Sequence, residues 1–188
     1  MSWTPLDISV RVGCNLAYET TVPTPVLFVL KPLLEGKVLV MQEKLSFGIG
    51  LPSYEFQDSH GNITYRSMLM PGRNEIRHDA LVAVSSLPDS REIAGQILPV
   101  GQLPFESLRY TLPSRYCDSD KLMNFAWNQF GNIPHGLPRV QAICDWVHNN
   151  IEYRYLSGRA DLSASEVIER RYGVCRDFAH AAIALCRT

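Results

Sequence analysis

The 188-residue sequence has no long apolar run, no cluster of basic residues and no low-complexity segment. The first absence excludes a transmembrane helix, and the N-terminus lacks the basic region and apolar core of a signal peptide. A net charge of −1 without a basic patch gives no electrostatic footprint for nucleic acid or for a membrane surface. We therefore expect a globular protein whose partners are peptides or proteins.

Cysteines are few, odd in number and widely spread, and none forms a C-x-x-C pair: Cys14, Cys117, Cys144, Cys175 and Cys186. This pattern argues against a disulfide framework and against a structural zinc site. No acidic loop has the spacing of a calcium ligand set. We therefore expect no metal and no cofactor, and a reducing, cytoplasmic location.

The first part of the chain alternates apolar and polar residues, which predicts half-buried strands. The clearest strand runs from Ile8 to Tyr18, with apolar residues at every second position. Further strands are predicted at Val26–Leu30, Lys44–Gly48, Ser53–Gln57, Ile63–Leu69 and Ala80–Ser85, with turn-forming residues between them. Short strands at this spacing predict an antiparallel β-sandwich domain over residues 1–87.

Proline and glycine interrupt residues 88–105, which we interpret as a connector to a second domain at 106–188. There the apolar period becomes helical, first around Leu122 and then in one stripe of five residues: Val140, Ile143, Cys144, Val147 and Ile151. Ser163 to Glu166 is a capping box, which predicts a third helix that Gly173 ends as a left-handed stop. A fourth helix is predicted to begin at Cys175.

Cys175 is the candidate nucleophile because of its position at this helix start. The first helical turn has unpaired N–H groups and a positive partial charge, which stabilise a thiolate. The same N–H groups can bind the oxyanion that forms when a thiolate attacks an amide carbonyl.

The residues around Cys175 resemble the nucleophile motif of bacterial transglutaminase-like enzymes, which are described as cysteine proteases: Gly173-Val174-Cys175-Arg176-Asp177-Phe178-Ala179. The segments Leu112–Tyr116 and Val140–Tyr153 are similar to parts of the family that precede the nucleophile. The resemblance implies an α+β fold, in which an N-terminal β-sandwich is followed by the helical front half of a transglutaminase-like or papain-like domain. It also implies amide hydrolysis or acyl transfer through an acyl-enzyme.

The family motif also needs a histidine and then an aspartate downstream of the cysteine, and the sequence ends at Thr188. We therefore expect a front piece of an enzyme, truncated before its sheet and inactive alone. From Phe178 to Cys186 the fourth helix is apolar except at His180, which predicts complete burial. Since the family packs this helix on a later sheet, we expect another chain, in a homo-oligomer, to cover it.

Other residues with possible chemistry are interpreted as structural. His180 lies about 140° around the helix from Cys175, too far to act on the thiol. Asp177 lies in the first helical turn, where acidic residues favour the helix dipole. A solvated position is predicted for His148, and packing roles are predicted for Cys14, Cys144, Cys186, Trp127 and Trp146.

The residues leave two questions open. Hydrolysis and transamidation of a peptide or protein amide share the acyl-enzyme step, so the sequence does not choose between them. The alternative to an enzyme is a non-catalytic interaction module, whose β-sandwich binds a partner and whose cysteine helix is structural.

Overall fold

The computed structural model describes residues 5–32, 38–48, 50–87 and 97–188. The chain divides into two compact units, residues 1–90 and 91–188. Of the connector predicted at 88–105, residues 88–96 lie outside the described part. The remainder includes a single turn of 3₁₀ helix at Val100–Gln102 and the start of another at Phe105–Thr111.

The N-terminal unit contains two three-stranded antiparallel sheets. Its strands are β1 (Ile8–Thr20), β2 (Thr24–Val29), β3 (Val38–Phe47), β4 (Ser53–Gln57), β5 (Ile63–Leu69) and β6 (Gly72–Val84). One sheet has the order β1-β6-β3 and the other β2-β5-β4. A core of Phe28, Tyr65, Leu69 and Ile76 draws on strands of both sheets, as the predicted sandwich requires.

Strand β6 begins eight residues before its predicted start at Ala80, although residues 73–79 are mostly polar. The reason is that the polar side chains on the outer face pair with one another. Glu75 binds the guanidinium groups of both Arg73 and Arg77, while Arg11 of β1 holds Asp79 at 2.7 Å. Alternate residues between them, such as Ile76, are buried. Because its outer face is charged, the first half of β6 could not be predicted from the spacing of apolar residues.

The C-terminal unit is mainly helical. Its helices are α1 (Met123–Phe130), α2 (Leu137–Asn150), α3 (Ala164–Arg170) and α4 (Cys175–Cys186), and a small parallel sheet joins β7 (Glu152–Tyr153) to β8 (Tyr172–Gly173). The predicted capping box is present, since Glu166 accepts a hydrogen bond from the Ser163 N–H at 2.8 Å. The α+β fold class is confirmed.

The core of this unit is built from the inner faces of all four helices. Its larger buried members are Leu122, Phe130, Ile143, Val147, Ile151, Val167, Ile168 and Leu185. Cys117, for which no role is predicted above, is buried in the same cluster. Within the described residues no helix is both long and apolar enough to cross a membrane.

Asp118 links the start of α3 to the segment before α1, and its charge contributes to stability. It accepts hydrogen bonds from the Ser165 N–H at 3.0 Å and from the Ser165 hydroxyl at 2.6 Å. Burial opposes ionisation, but these hydrogen bonds outweigh it and lower the Asp118 pKa from 3.8 to about 2. Because the folded pKa is the lower one, the stabilisation is complete above about pH 4 and is lost as the pH falls towards 2.

We expect Asp118→Asn to lower the free energy of unfolding at pH 7 by roughly 1–2 kcal/mol, allowing for solvent screening. The difference from the wild type should shrink between pH 4 and pH 2, because the wild-type carboxylate is then protonated as well. Urea unfolding at several pH values measures both effects. Asp120→Asn is the matched control, because Asp120 is exposed in the short 3₁₀ helix Ser119–Lys121 that follows Asp118, and it should change little at any pH. A constant difference across this pH range would contradict the assignment.

Candidate active site

Cys175 is the first residue of α4, as predicted, and its side chain is exposed. Val174 precedes it in an extended conformation, and its carbonyl accepts the N–H groups of Asp177 at 2.8 Å and Phe178 at 3.3 Å. The N–H groups of Cys175 and Arg176, in the first helical turn, have no acceptor within the helix. A substrate oxygen beside the thiol could therefore bind two N–H donors at the positive end of α4.

Asp177 holds the turn that leads into Cys175. Its side chain is completely buried, and its Oδ2 accepts the Val174 N–H at 2.9 Å. The other oxygen, Oδ1, has no hydrogen-bond partner among the described residues and lies 3.5 Å from the Arg176 guanidinium. The structural role predicted for Asp177 is confirmed, because this carboxylate caps the helix that presents the thiol.

Gly173 is needed for a different reason from the predicted one. The left-handed residue that ends α3 is Arg171, with φ of 63°, whereas Gly173 lies in β8. The chain must adopt an extended conformation directly after Arg171. The reason is that Gly173 pairs with the strand β7 segment, where the Arg154 N–H donates to the Gly173 carbonyl at 2.9 Å. A Cβ at Gly173 would come within 2.7 Å of both Cβ and Oδ2 of Asp177. Glycine is therefore required by the close approach of Asp177.

The loop after β7 runs beside the start of α4, and sequence reasoning missed it. Gly158 packs against Val174, where an added Cβ would lie 3.1 Å from Val174 Cγ2. The Arg176 guanidinium donates to the carbonyl of Arg159 at 2.7 Å. The available signal was Gly158 itself, an isolated glycine after two tyrosines, which is typical of a close backbone approach. This loop therefore contacts the residues on both sides of Cys175 in the chain.

Neither His180 nor His148 hydrogen-bonds to Cys175 in the described part of the chain. The His180 ring stacks on Tyr116, with centroids 5.3 Å apart and planes 2° apart, and its buried Nδ1 has no hydrogen-bond partner among the described residues. Burial lowers the pKa of His180, and the charge of Arg176 lowers it further. The predicted orientation of His180, away from the thiol, agrees with this stacking. His148 is exposed on α2, as predicted.

Within the described residues helix α4 is buried on one face only, so its complete burial stays a prediction that depends on the second chain expected to cover the other face. Its inner face carries Asp177, Ala181, Ala184 and Leu185, whereas Ile183 is 41% exposed. Cys175, Ala179 and Cys186 lie on the same outer side and are also exposed. The residues of an all-apolar helix can indicate that it has a partner surface, but they do not show which elements cover each side.

Three packing predictions are corrected by the same geometry. Cys144 and Cys186 are exposed, and Trp127 is 70% exposed at the rim of a groove of about 470 Å³ near the C-terminal end of α4. Cys186 still differs from a fully solvated thiol, since burial and the neighbouring Cys144 raise its pKa. Cys14 is half-buried, and Trp146 packs against the core beside Phe125 as predicted.

No group of three or more metal-ligating side chains occurs among the residues the structure describes. Those residues offer the candidate site a thiol, two backbone N–H donors, a buried carboxylate and a neighbouring loop. Such a set can form and stabilise an acyl-thioester, but proton transfer to a leaving amine needs a further group.

Comparison with known proteins finds a similar family and a similar structure. Residues 111–188 match the Transglutaminase-like superfamily. A solved structure, described as a "putative cysteine protease" from Cytophaga hutchinsonii, is 30% identical in sequence and superposes with a TM-score of 0.84. The match covers 96% of the present chain and 65% of the other, so the chain spans less than two thirds of that protein. A sequence comparison with curated proteins gives no match.

Proposed function

We propose that the chain acts on peptide or protein amides through Cys175, as the match of residues 111–188 to the Transglutaminase-like superfamily implies. The observation that carries the proposal is the exposed thiol on the first residue of α4, beside two N–H groups without helical acceptors. The start of α4 also places positive partial charge beside the sulfur. The family resemblance supplies the reaction class, and the geometry supports Cys175 as its nucleophile.

In the proposed reaction the Cys175 sulfur attacks the amide carbonyl carbon. The carbonyl oxygen becomes an oxyanion that accepts hydrogen bonds from the Cys175 and Arg176 N–H groups. The C–N bond then breaks, the amine leaves with a proton, and a thioester remains on the sulfur. Water or a second amine attacks the thioester, which releases an acid or a new amide and restores the thiol.

We propose that the proton-transfer histidine and its aspartate partner come from outside these 188 residues. His180 is stacked on Tyr116 and lies about 140° around α4 from Cys175, which supports this view. A proton must reach the leaving amine, so the 188-residue chain is expected to release no amine from an ordinary peptide amide.

The five free cysteines are consistent with the reducing cytoplasm that we propose as its location.

Iodoacetamide labelling tests the nucleophile directly. Cys175 and Cys186 lie on the same side of one helix, about 16 Å apart along its axis, so each is the control for the other. We expect Cys175 to label at pH 7 at least about tenfold faster than Cys186, because only Cys175 lies at the positive helix end and burial raises the Cys186 pKa. In denaturant the two rates should become similar. Equal rates in the folded protein would contradict the proposal.

The alternative function is a non-catalytic interaction module, whose β-sandwich binds a partner and whose cysteine helix is structural. Slow labelling of Cys175 would favour it over the enzyme.

With either function, we expect a second copy of the chain to cover Ile183 and its neighbours on the exposed outer side of α4, as the apolar sequence of the helix indicates. Sedimentation at increasing concentration should show a dimer that Ile183→Glu disrupts. A monomer at every concentration would contradict this expectation.

A further inference from the structure

Two large apolar side chains project from the loop beside Cys175. Tyr155 is 77% exposed and Leu156 is 84% exposed, so neither contributes much to the core of its unit. Apolar side chains of this size contribute to the binding of a ligand that covers them. The contacts of the loop backbone relate the two side chains to the residues around Cys175.

The loop is tied at both ends to the residues that precede and follow Cys175. At its start, the Arg154 N–H donates to the Gly173 carbonyl at 2.9 Å. At its end, Gly158 packs on Val174 and the Arg159 carbonyl accepts from Arg176. Tyr155 and Leu156 follow Arg154 directly, so their Cα atoms lie within about 8 Å of its Cα. The apolar tip thus lies between two loop anchors that contact the chain neighbours of the nucleophile.

The charged residues of the loop are already paired, which leaves the tip apolar. Arg154 binds Glu152 at 2.7 Å, and Arg159 binds Asp161 at 2.6 Å. These side chains therefore offer little free charge to a substrate. A ligand that contacts the tip meets a phenol ring and an isobutyl group instead.

The backbone of Leu156 supports a role outside folding. Its φ of 62° lies in the left-handed region, which glycine and asparagine adopt more readily than leucine. The turn is closed by the Ser157 N–H and hydroxyl, which both donate to the Arg154 carbonyl. This backbone conformation does not favour leucine, and at this exposure the Leu156 side chain contributes little to the core. Such outliers occur where a side chain is presented to a ligand.

We propose that Tyr155 and Leu156 form an apolar subsite for the substrate residue next to the amide that Cys175 attacks. The inference rests on the proposed function and adds a preference for substrates with an apolar or aromatic side chain at that position. Paired charges around the tip give acidic or basic side chains no comparable partner.

Two alkylating reagents test the subsite in the 188-residue chain without requiring turnover. Iodoacetamide and N-benzyl iodoacetamide both form a bond from the Cys175 sulfur to the CH₂ carbon and release iodide, and they differ only in the benzyl group. The ratio of their rates at Cys175, divided by the same ratio for glutathione, measures apolar binding. We expect about a tenfold preference for the benzyl reagent, as sheltering about 50 Å² of apolar surface would give.

Leu156→Asn keeps a residue that tolerates the left-handed conformation and removes the apolar group. Leu156→Asn and Tyr155→Ala should each reduce the benzyl preference by about threefold or more, with little change in the iodoacetamide rate. Trp127→Ala, an exposed aromatic residue near the far end of α4, is the control and should change neither. No benzyl preference in the wild type, or an unchanged preference in both variants, would overturn the subsite. Slow iodoacetamide labelling of Cys175 would instead overturn the proposed function.

Discussion

Gly173→Ala is expected to destabilise the C-terminal unit by about 3 kcal/mol and to remove the selective reactivity of Cys175. The new methyl group would lie within 2.7 Å of Asp177 Cβ and Oδ2. Asp177 is completely buried, so it cannot swing away into solvent. Either the carboxylate or strand β8 must move, and each movement breaks the hydrogen bond from the Val174 N–H that sets the start of α4.

Urea unfolding and labelling of Cys175 measure these two effects separately. Gly101→Ala is the matched control, because a Cβ at Gly101 would meet nothing within 4 Å. It should change stability by less than about 0.5 kcal/mol and leave labelling unchanged. If Gly173→Ala behaves like Gly101→Ala, the packing of Asp177 against Gly173 is wrong.

Asp177→Ala is expected to cost about 3 kcal/mol, because it removes a helix cap and opens a cavity in a fully buried position. Asp177→Asn should cost less, about 1–2 kcal/mol. Its amide oxygen can still accept the Val174 N–H, but its NH₂ group would then replace Oδ1 near the Arg176 guanidinium. The expected order of stability is therefore wild type, then asparagine, then alanine.

Asp145 provides the comparison for these variants. It is an exposed aspartate on α2, whose carboxylate accepts one hydrogen bond from Gln141 at 2.8 Å. Asp145→Ala should change the free energy of unfolding by about 0.5 kcal/mol or less. An Asp177→Ala variant as stable as Asp145→Ala would show that the buried carboxylate does not hold the helix start.

The strands that alternate cleanly between apolar and polar residues could be predicted closely. Ser53–Gln57 and Ile63–Leu69 have the predicted bounds, and the capping box at Ser163 lies where its residues indicated. Each of these predictions rests on local residues, because turn residues mark the ends of the strands and the capping box marks the start of the helix. The long strand β6 was only partly predicted because ion pairs with β1 and within its own outer face stabilise its polar half.

Only those parts of the candidate site that depend on residues close together in the chain could be predicted from the sequence. The helix start at Cys175 and the structural role of Asp177 follow from a few residues of local sequence. By contrast, the close contact between Gly173 and Asp177 depends on a strand pairing with residues some twenty positions earlier. The position of Tyr155 and Leu156 depends on the same pairing, so no local pattern placed them beside the thiol.

Exposure was the property that sequence patterns predicted least well. Trp127, Cys144 and Cys186 lie in helical segments whose apolar residues suggested a core. Whether such a residue is buried depends on how many other elements surround its helix. Within the described residues α4 has neighbours on one side only, so an apolar sequence gave a half-exposed helix.

Acyl transfer to Cys175 is the step on which the account depends, and p-nitrophenyl acetate tests it without a histidine. Nitrophenolate leaves without taking up a proton, so the sulfur can form its bond to the acetyl carbon while the ester C–O bond breaks. Mass spectrometry of peptides from the folded chain should place the acetyl group on Cys175 well before Cys144 or Cys186, and Cys175→Ser should abolish that early product. An acetyl group that is distributed at equal rates over the three exposed cysteines would contradict the account.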